Sequence, residues 1–204
     1  MNFKSVSFKH LLLGLLLLTS LSVSAQEKSR AHLDSLLRQS PAAITEDTAK
    51  VNLLARIGSN YTYTESPDSG FVYLQRALQL AEKLKWQKGI TKSYDCLGNY
   101  FFYIKKHDYV KAQRYFMQAA ELSFKTGDYP FTYTCIHDFF WVMTDQKRHA
   151  EEISYLNSWL KRFEKVHDRQ EQAKIIMQIA DCYANLHDYT SAIDYYDRGF
   201  AIQI

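Results

Sequence analysis

Four histidine-aspartate doublets are the residues of this chain whose types and spacing could do chemistry. They stand at 107–108, 137–138, 167–168 and 187–188, and such doublets could bind a metal ion in a phosphohydrolase. The first and the last are each followed by tyrosine, and both fall where one predicted helix ends and the next begins. An aspartate at that place accepts hydrogen bonds from the unpaired backbone N–H groups of the second helix. The doublets therefore favour helix capping over a metal centre.

Three cysteines, Cys96, Cys135 and Cys182, are the other candidates for chemistry. Each falls in the first helix of a different repeat, at related but unequal positions, which favours buried thiols over a disulfide. Zinc is disfavoured because the chain has no Cys-x2-Cys or His-x3-His pair. No Ser-His-Asp set, glycine-rich phosphate loop or pair of carboxylates rises above chance. We therefore expect no catalytic residues, no metal and no cofactor.

The elements that position these residues follow from a pattern that returns about every 40 residues. It begins with an apolar residue, a small residue and, three positions later, an aromatic one; two more small residues follow, with a bulky one between them. The copies lie at Ile57-Gly58, Gly70, Leu74 and Ala77; at Leu97-Gly98, Ala112, Phe116 and Ala119; and at Ile179-Ala180, Ala192, Tyr196 and Gly199. Such self-similarity indicates stacked copies of one helical hairpin, none of which can bury its apolar face alone.

This spacing resembles the tetratricopeptide repeat, whose consensus runs Trp-x2-Leu-Gly-x2-Tyr, Ala-x3-Phe, Ala and Pro over about 34 residues. The resemblance covers residues 47–204, without the first Trp and the last Pro of the consensus. A third repeat must fill the gap between Gly98 and Ala180, with Asp138, Ala150 and Asn157 at its small positions. The resemblance implies an all-α, right-handed solenoid of about four hairpins, with second helices or connections that run long.

Glycines and prolines support an all-helical chain. Gly58 and Gly98 fall where paired helices would touch, whereas Gly89 and Gly127 fall between repeats. The prolines Pro41, Pro67 and Pro130 fall at predicted helix starts, where the missing N–H is tolerated. Because strand-like alternation is scarce, we expect helices throughout.

The first 25 residues have the three-part layout of a secretory signal peptide. Lys4 and Lys9 precede or flank the apolar run Leu11–Leu18, and Val23-Ser24-Ala25 supplies small residues before Gln26. We expect cleavage after Ala25, a linker with a short helix over residues 26–46, and a periplasmic or secreted protein without stable membrane insertion. An uncleaved membrane anchor remains the alternative, although a spanning helix needs about 20 apolar residues.

Charge excludes one class of partner. The formal net charge of the whole chain is +3, and removal of a leader that contains two lysines and no acid leaves it nearly neutral. Binding to nucleic acid needs a clustered basic face, which this sequence lacks. We therefore expect a protein or peptide partner and no nucleic acid.

In solenoids of this family the first helices line the concave face at fixed positions of each repeat. Carried over residue by residue, the resemblance implies a groove lined by Asn52, Tyr63, Lys92, Asp95, Asn99, Phe102, Tyr103, Lys174, Asp181 and Asn185, with Ser59 and Met177 beside them. Asparagine can pair with a peptide backbone, lysine with a carboxylate, and tyrosine offers a flat apolar surface. The same residues are also consistent with ordinary solvated or packing positions.

Two functions remain open. The chain is either an exported, non-enzymatic scaffold for a peptide or partner protein, or the extracytoplasmic sensory part of a bacterial sensor kinase or transcriptional regulator, which it resembles. A stripe of Ile193, Tyr196, Phe200 and Ile204 recurs at helical spacing near the end of the sequence. Because such stripes are covered in solenoids, we expect self-association through the last repeat, or a fragment of a longer chain.

Overall fold

Helices account for nearly all of the chain that the structure, a computed structural model, describes: residues 34–36, 45–61, 67–105 and 108–203. Eight helices of 14 to 18 residues follow one another in these ranges. They are α1 Thr48–Tyr61, α2 Pro67–Lys83, α3 Gln87–Tyr103, α4 Tyr109–Thr126, α5 Tyr129–Asp145, α6 His149–Lys165, α7 Arg169–Asn185 and α8 Tyr189–Gln203. No strand occurs among the described residues.

The helices form four stacked hairpins, α1–α2, α3–α4, α5–α6 and α7–α8. Each second helix also packs on the first helix of the next hairpin, and neighbouring first helices contact each other in turn. The predicted all-helical solenoid is therefore confirmed. In α5, α6 and α7 the first and second helices are all 17 residues long and the turns between them are short, so both helices lengthen the repeat, and not only the second helices or the connections.

Five of the turns between helices share one backbone conformation. A residue in the left-handed region ends the helix at Lys85, Gly127, Lys147, His167 and His187, with φ between 52° and 78°. Five aspartates cap the helix that follows: Asp47, Asp108, Asp128, Asp168 and Asp188 accept from the backbone N–H three residues ahead, over 3.0–3.4 Å. The capping interpretation of the doublets is confirmed at 108, 168 and 188, whereas Asp138 lies inside α5.

Two of the small positions are close contacts between paired helices, as predicted. A Cβ atom added at Gly58 would lie 2.7 Å from the Leu74 side chain, and one added at Gly98 would lie 2.6 Å from the ring of Phe116. Gly89 was expected between repeats, but it belongs to the first turn of α3, where the indole of Trp86 covers it. The prediction for Gly127 is correct, since it ends α4.

Pro67 opens α2 and Pro130 lies in the first turn of α5, as the sequence predicts, and Pro41 lies outside the described residues. The leader and most of the linker also lie outside them. Of the short helix expected over Ser29–Gln39, residues 34–36 are described and helical. Leu36 there is buried against Ile57 of α1.

The third hairpin has a different register from the one predicted. Counted from the first residues of α5 and α6, its small positions are occupied by Phe140, Glu152 and Trp159, two residues after Asp138, Ala150 and Asn157. All three observed residues are bulky and buried. A bulky side chain at the contact position holds two helices apart, and α5 and α6 indeed pack less closely than the helices of the other hairpins.

A buried carboxylate distinguishes this hairpin further. Glu152 has no exposed surface, and its Oε2 atom lies 3.0 Å from His149 Nδ1 and 3.5 Å from Cys182 Sγ. Cys135 is buried as well, and half-buried Cys96 lies 3.5 Å from Ser59 Oγ. The thiols therefore serve as core residues of three different first helices, in agreement with the sequence.

The apolar stripe of α8 is partly open to solvent. Ile193 and Phe200 are more than half exposed, whereas Tyr196 is half-buried and its hydroxyl donates to Asp181. Ile204 lies outside the described residues. Self-association through this repeat remains a prediction. Across the described ranges, none of the helices has the length and apolar content needed to span a membrane.

Candidate functional site

A cavity of about 530 Å³ opens between the first helices α5 and α7. Both helices begin at a capping aspartate, so their side chains can be aligned position by position from that residue. The lining consists of Tyr133, His137, Phe140, Trp141 and Thr144 from α5, and of Lys174, Met177, Gln178, Asp181, Ala184 and Asn185 from α7. Its volume lies in the range usual for ligand sites.

Gln178 is the residue of this cavity that most needs a partner. It is only 4% exposed, and neither its Nε2 nor its Oε1 atom has a hydrogen-bond partner in the described part of the chain. A buried polar atom without a partner destabilises the fold by about 1–3 kcal/mol. Gln178 belongs to the lining of the cavity, so a ligand with a donor and an acceptor side by side would pair both atoms once the side chain turns toward it.

The charges around the cavity are unequal. Lys174 Nζ lies 2.8 Å from the Oε1 atom of buried Glu171 and 5.1 Å from the centre of the Tyr133 ring. Asp181 accepts from the hydroxyl of Tyr196. Burial, and after it the negative charges of Glu171 and Asp181, raise the pKa of Tyr133 to about 12. The two carboxylates of Glu171 and Asp181 therefore outnumber the one ammonium group, that of Lys174, around this part of the cavity.

Aromatic rings form the α5 wall. Tyr133 and Phe140 flank His137, with ring centres 6.0 and 6.3 Å away. Trp141 Nε1 donates to His137 Nε2 over 3.2 Å, which places the imidazole proton of neutral His137 on Nδ1. The indole of Trp141 is nevertheless 48% exposed. The α5 wall therefore presents to solvent the indole ring of Trp141, whose orientation is fixed by its hydrogen bond to His137.

The structure brings three of the ten predicted groove residues into this cavity: Lys174, Asp181 and Asn185, with Met177 beside them. The α3 residues lie further along the stack. Of these, Lys92 and Tyr103 are exposed and Asn99 is half-buried. Phe102 is buried in the core, so its side chain does not line a surface. On α1, Asn52 is half-buried, and Tyr63 lies outside the described residues.

Sequence reasoning missed the α5 wall. Tyr133, His137 and Trp141 belong to the third repeat, whose register could not be set from small residues. A usable signal was present in Gly127-Asp128-Tyr129, which matches the aspartate-tyrosine starts of α4 and α8. Counting from that cap aligns Trp141 with Asn99 and Asp181, two of the predicted groove positions.

A carboxyl pair joins α3 to α5 one hairpin earlier. Asp95 of α3 and Asp138 of α5 lie near enough to shift each other's pKa, and sharing one proton would remove the repulsion between two charged carboxylates. Burial, and after it the charge of Asp138, hold the pKa of Asp95 well above its ordinary value near 3.8, while Lys92 opposes this shift. Burial also raises the pKa of Asp138, although Asp95 and, after it, His137 act to lower that pKa.

We expect Asp95→Asn to flatten the dependence of stability on pH. In the wild type the folded chain holds a proton that the unfolded chain releases near pH 3.8, so stability falls as pH rises above that value, by up to about 1.4 kcal/mol per pH unit. Urea unfolding at about pH 4.5 and about pH 7.5 measures this difference. The variant should gain about 1–2 kcal/mol over the wild type at the higher pH.

The matched control for this measurement is Asp197→Asn, which makes the same chemical change at an exposed position of α8. It should follow the wild-type profile. If Asp95→Asn follows that profile as well, the two carboxyl groups do not share a proton in the folded chain.

Comparison with known proteins gives a likeness of fold. No protein-family model matches the sequence, and no curated protein matches it. Among solved structures, a Signal Transduction ATPase with Numerous Domains with a tetratricopeptide repeat sensor, from Pyrococcus horikoshii, is similar with a TM-score of 0.66 at 17% identity, over 89% of this chain and 28% of that one. Aspartyl phosphate phosphatase F from Bacillus subtilis is similar with a TM-score of 0.62 at 13% identity, over 78% and 41%.

A third similar structure matches along most of its own length. The tetratricopeptide-like repeats of a putative kinesin light chain from Podosopora anserina give a TM-score of 0.61 at 12% identity, over 88% of this chain and 93% of that one. The chain thus spans less than half of the ATPase and of the phosphatase. No group of three histidine, cysteine, aspartate or glutamate side chains positioned to bind a metal occurs within the ranges described above.

Proposed function

We propose that this chain, which has the tetratricopeptide-repeat fold of its structural neighbours, is an exported, non-enzymatic scaffold that binds an extended segment of a partner protein at the cavity between α5 and α7. The observation that carries the proposal is Gln178, a buried carboxamide with both polar atoms unpaired in the lining. A tetratricopeptide-type stack presents a surface for protein partners and has no chemistry of its own to offer.

A peptide group suits Gln178 better than other ligands do. It presents an N–H donor and a C=O acceptor, and a side-chain amide can pair with both. The unpaired carboxamide destabilises the folded protein, so a ligand that pairs with it supplies hydrogen bonds that the protein itself does not make. The exposed face of Trp141 adds apolar area of the kind that dominates recognition surfaces.

Export rests on the leader-like residues 1–25 and on no feature of the helices. The second candidate function, the sensory part of a bacterial kinase or regulator, rests on the same leader placed ahead of the same repeats. The Pyrococcus horikoshii neighbour is described as having such repeats as its sensor. Reading the gene beyond codon 204 separates the two, because a receptor requires about 20 apolar codons for a membrane helix.

Replacing Gln178 with leucine tests the binding proposal. The probe is a library of pentapeptides with acetylated N-termini and amidated C-termini, so that only side chains and internal peptide groups are presented. We expect the wild type to select a subset of the library. Gln178→Leu should bind that subset about tenfold or more weakly, because two hydrogen bonds of about 0.5–1.5 kcal/mol each are lost.

The control is Gln170→Leu, the same change at an exposed position of α7. It should bind as the wild type does. Gln178→Leu should also be at least as stable as the wild type to urea, since it removes two unpaired buried atoms. Peptide binding that survives Gln178→Leu unchanged would contradict the proposal.

A further inference from the structure

Elsewhere in this protein, an arginine side chain is held by the same kinds of residue that line the cavity. On the other side of the stack, the guanidinium of Arg162 lies 3.9 Å from the centre of the Trp159 ring and 4.4 Å from that of Phe124. Its two terminal nitrogens donate to the carboxylate of Glu121 over 2.6 and 2.9 Å. Aromatic faces and one carboxylate are thus the partners that this protein gives to an arginine.

The cavity has the same partners without an arginine of its own. Trp141 offers a half-exposed indole from α5, and Asp181 offers a carboxylate from α7. Asp181 accepts from the Tyr196 hydroxyl, and no lysine or arginine lies within ion-pair distance of it among the described residues. Arginine stacks on aromatic faces and pairs with carboxylates at the same time.

Lys174, the lysine of the cavity lining, does not take the position of an arginine beside Trp141 and Asp181. Lys174 is held by the carboxylate of Glu171 at 2.8 Å and lies over the ring of Tyr133, at the opposite end of the wall from Trp141. Its charge is balanced by Glu171, so Asp181 leaves the lining with one excess negative charge. The raised pKa of Tyr133 agrees with this, because the charges of both carboxylates contribute to it after burial.

We propose that the cavity between α5 and α7 takes a basic side chain of the bound peptide segment, arginine in preference to lysine, stacked on Trp141 and paired with Asp181. This rests on the proposed function, since it names the anchor residue of the same site. Arginine is preferred because its planar guanidinium stacks and pairs simultaneously, whereas an ammonium is a compact, strongly hydrated charge. An acidic anchor would be repelled by Asp181, and an apolar anchor would strip water from it without a partner.

The test uses five pools of the same blocked pentapeptides, with the central residue fixed as arginine, lysine, citrulline, leucine or glutamate and the other four positions mixed. Affinities are measured from the change in tryptophan fluorescence and confirmed by calorimetry. We expect the arginine pool to bind best and the citrulline pool, which keeps the shape and loses the charge, about tenfold more weakly. The glutamate pool should bind most weakly.

Two variants assign the preference to the site. Asp181→Asn keeps an acceptor for Tyr196 and removes the charge, so it should bring the ratio of arginine to citrulline affinity close to one. Asp197→Asn, exposed on α8, should leave the ratio unchanged. Thermal melts of both variants verify that the fold is kept.

The outcomes separate the two proposals. If no pool binds, the proposed function fails. If pools bind but the arginine pool has no advantage over citrulline, or Asp181→Asn leaves that advantage intact, the basic anchor is wrong and the scaffold function stands. Preference for the glutamate pool would show that Lys174 governs the cavity and would overturn the inference.

Discussion

Trp159→Ala is expected to lower the free energy of unfolding by about 3–5 kcal/mol, the usual cost of emptying a buried aromatic position. The indole is 2% exposed and packs among Phe124, Tyr155 and Phe163, with Arg162 on its face. The change looks conservative in the repeat pattern, because the other hairpins have alanine or glycine at this position. It is costly here because the wider third hairpin has no side chain that would fill the space.

Urea unfolding followed by circular dichroism measures this loss, with Trp141→Ala as the control. Both variants lose an indole, but Trp141 is 48% exposed, so its removal should change stability by less than about 1 kcal/mol. Its peptide affinity should fall instead. Equal stability losses in the two variants would mean that the third hairpin tolerates small residues, and that its register has been misread.

The hairpins that could be predicted are those in which small residues mark the contact. Gly98 permits Phe116 to approach because it has no Cβ atom, so the close contact can be recognised in the sequence from the glycine alone. The third hairpin has Phe140 at the contact position instead of a small residue, and its two helices are further apart. No residue type at the contact position itself predicts that solution. The capping residue Asp128 does predict the register, because it fixes where α5 begins.

The site could be predicted only in part for the same reason. Lys174, Asp181 and Asn185 belong to a repeat with a clear register, and all three line the cavity. Gln178 was not predicted because its position faces the neighbouring first helix, α5. Whether its side chain finds a hydrogen-bond partner depends on which residues α5 places opposite it. Asp95 illustrates the opposite case, since a residue predicted to face a groove instead lies close enough to Asp138 of α5 for that carboxylate to raise its pKa.

Gly98→Leu is expected to destabilise the fold by about 1–3 kcal/mol through overpacking. Even a single Cβ atom at this position would lie 2.6 Å from Cε1 of the Phe116 ring, and that ring is completely buried. Because α3 and α4 pack closely against each other, the Phe116 ring cannot turn aside without moving a helix. Lys125→Leu, at an exposed position near the end of α4, adds the same side chain where nothing opposes it and should change stability by less than about 0.5 kcal/mol. Thermal and urea unfolding of the two variants decide the matter: a Gly98→Leu protein as stable as the Lys125→Leu protein would show that α3 and α4 do not meet at Gly98, and the assignment of every small position in the stack would have to be revised.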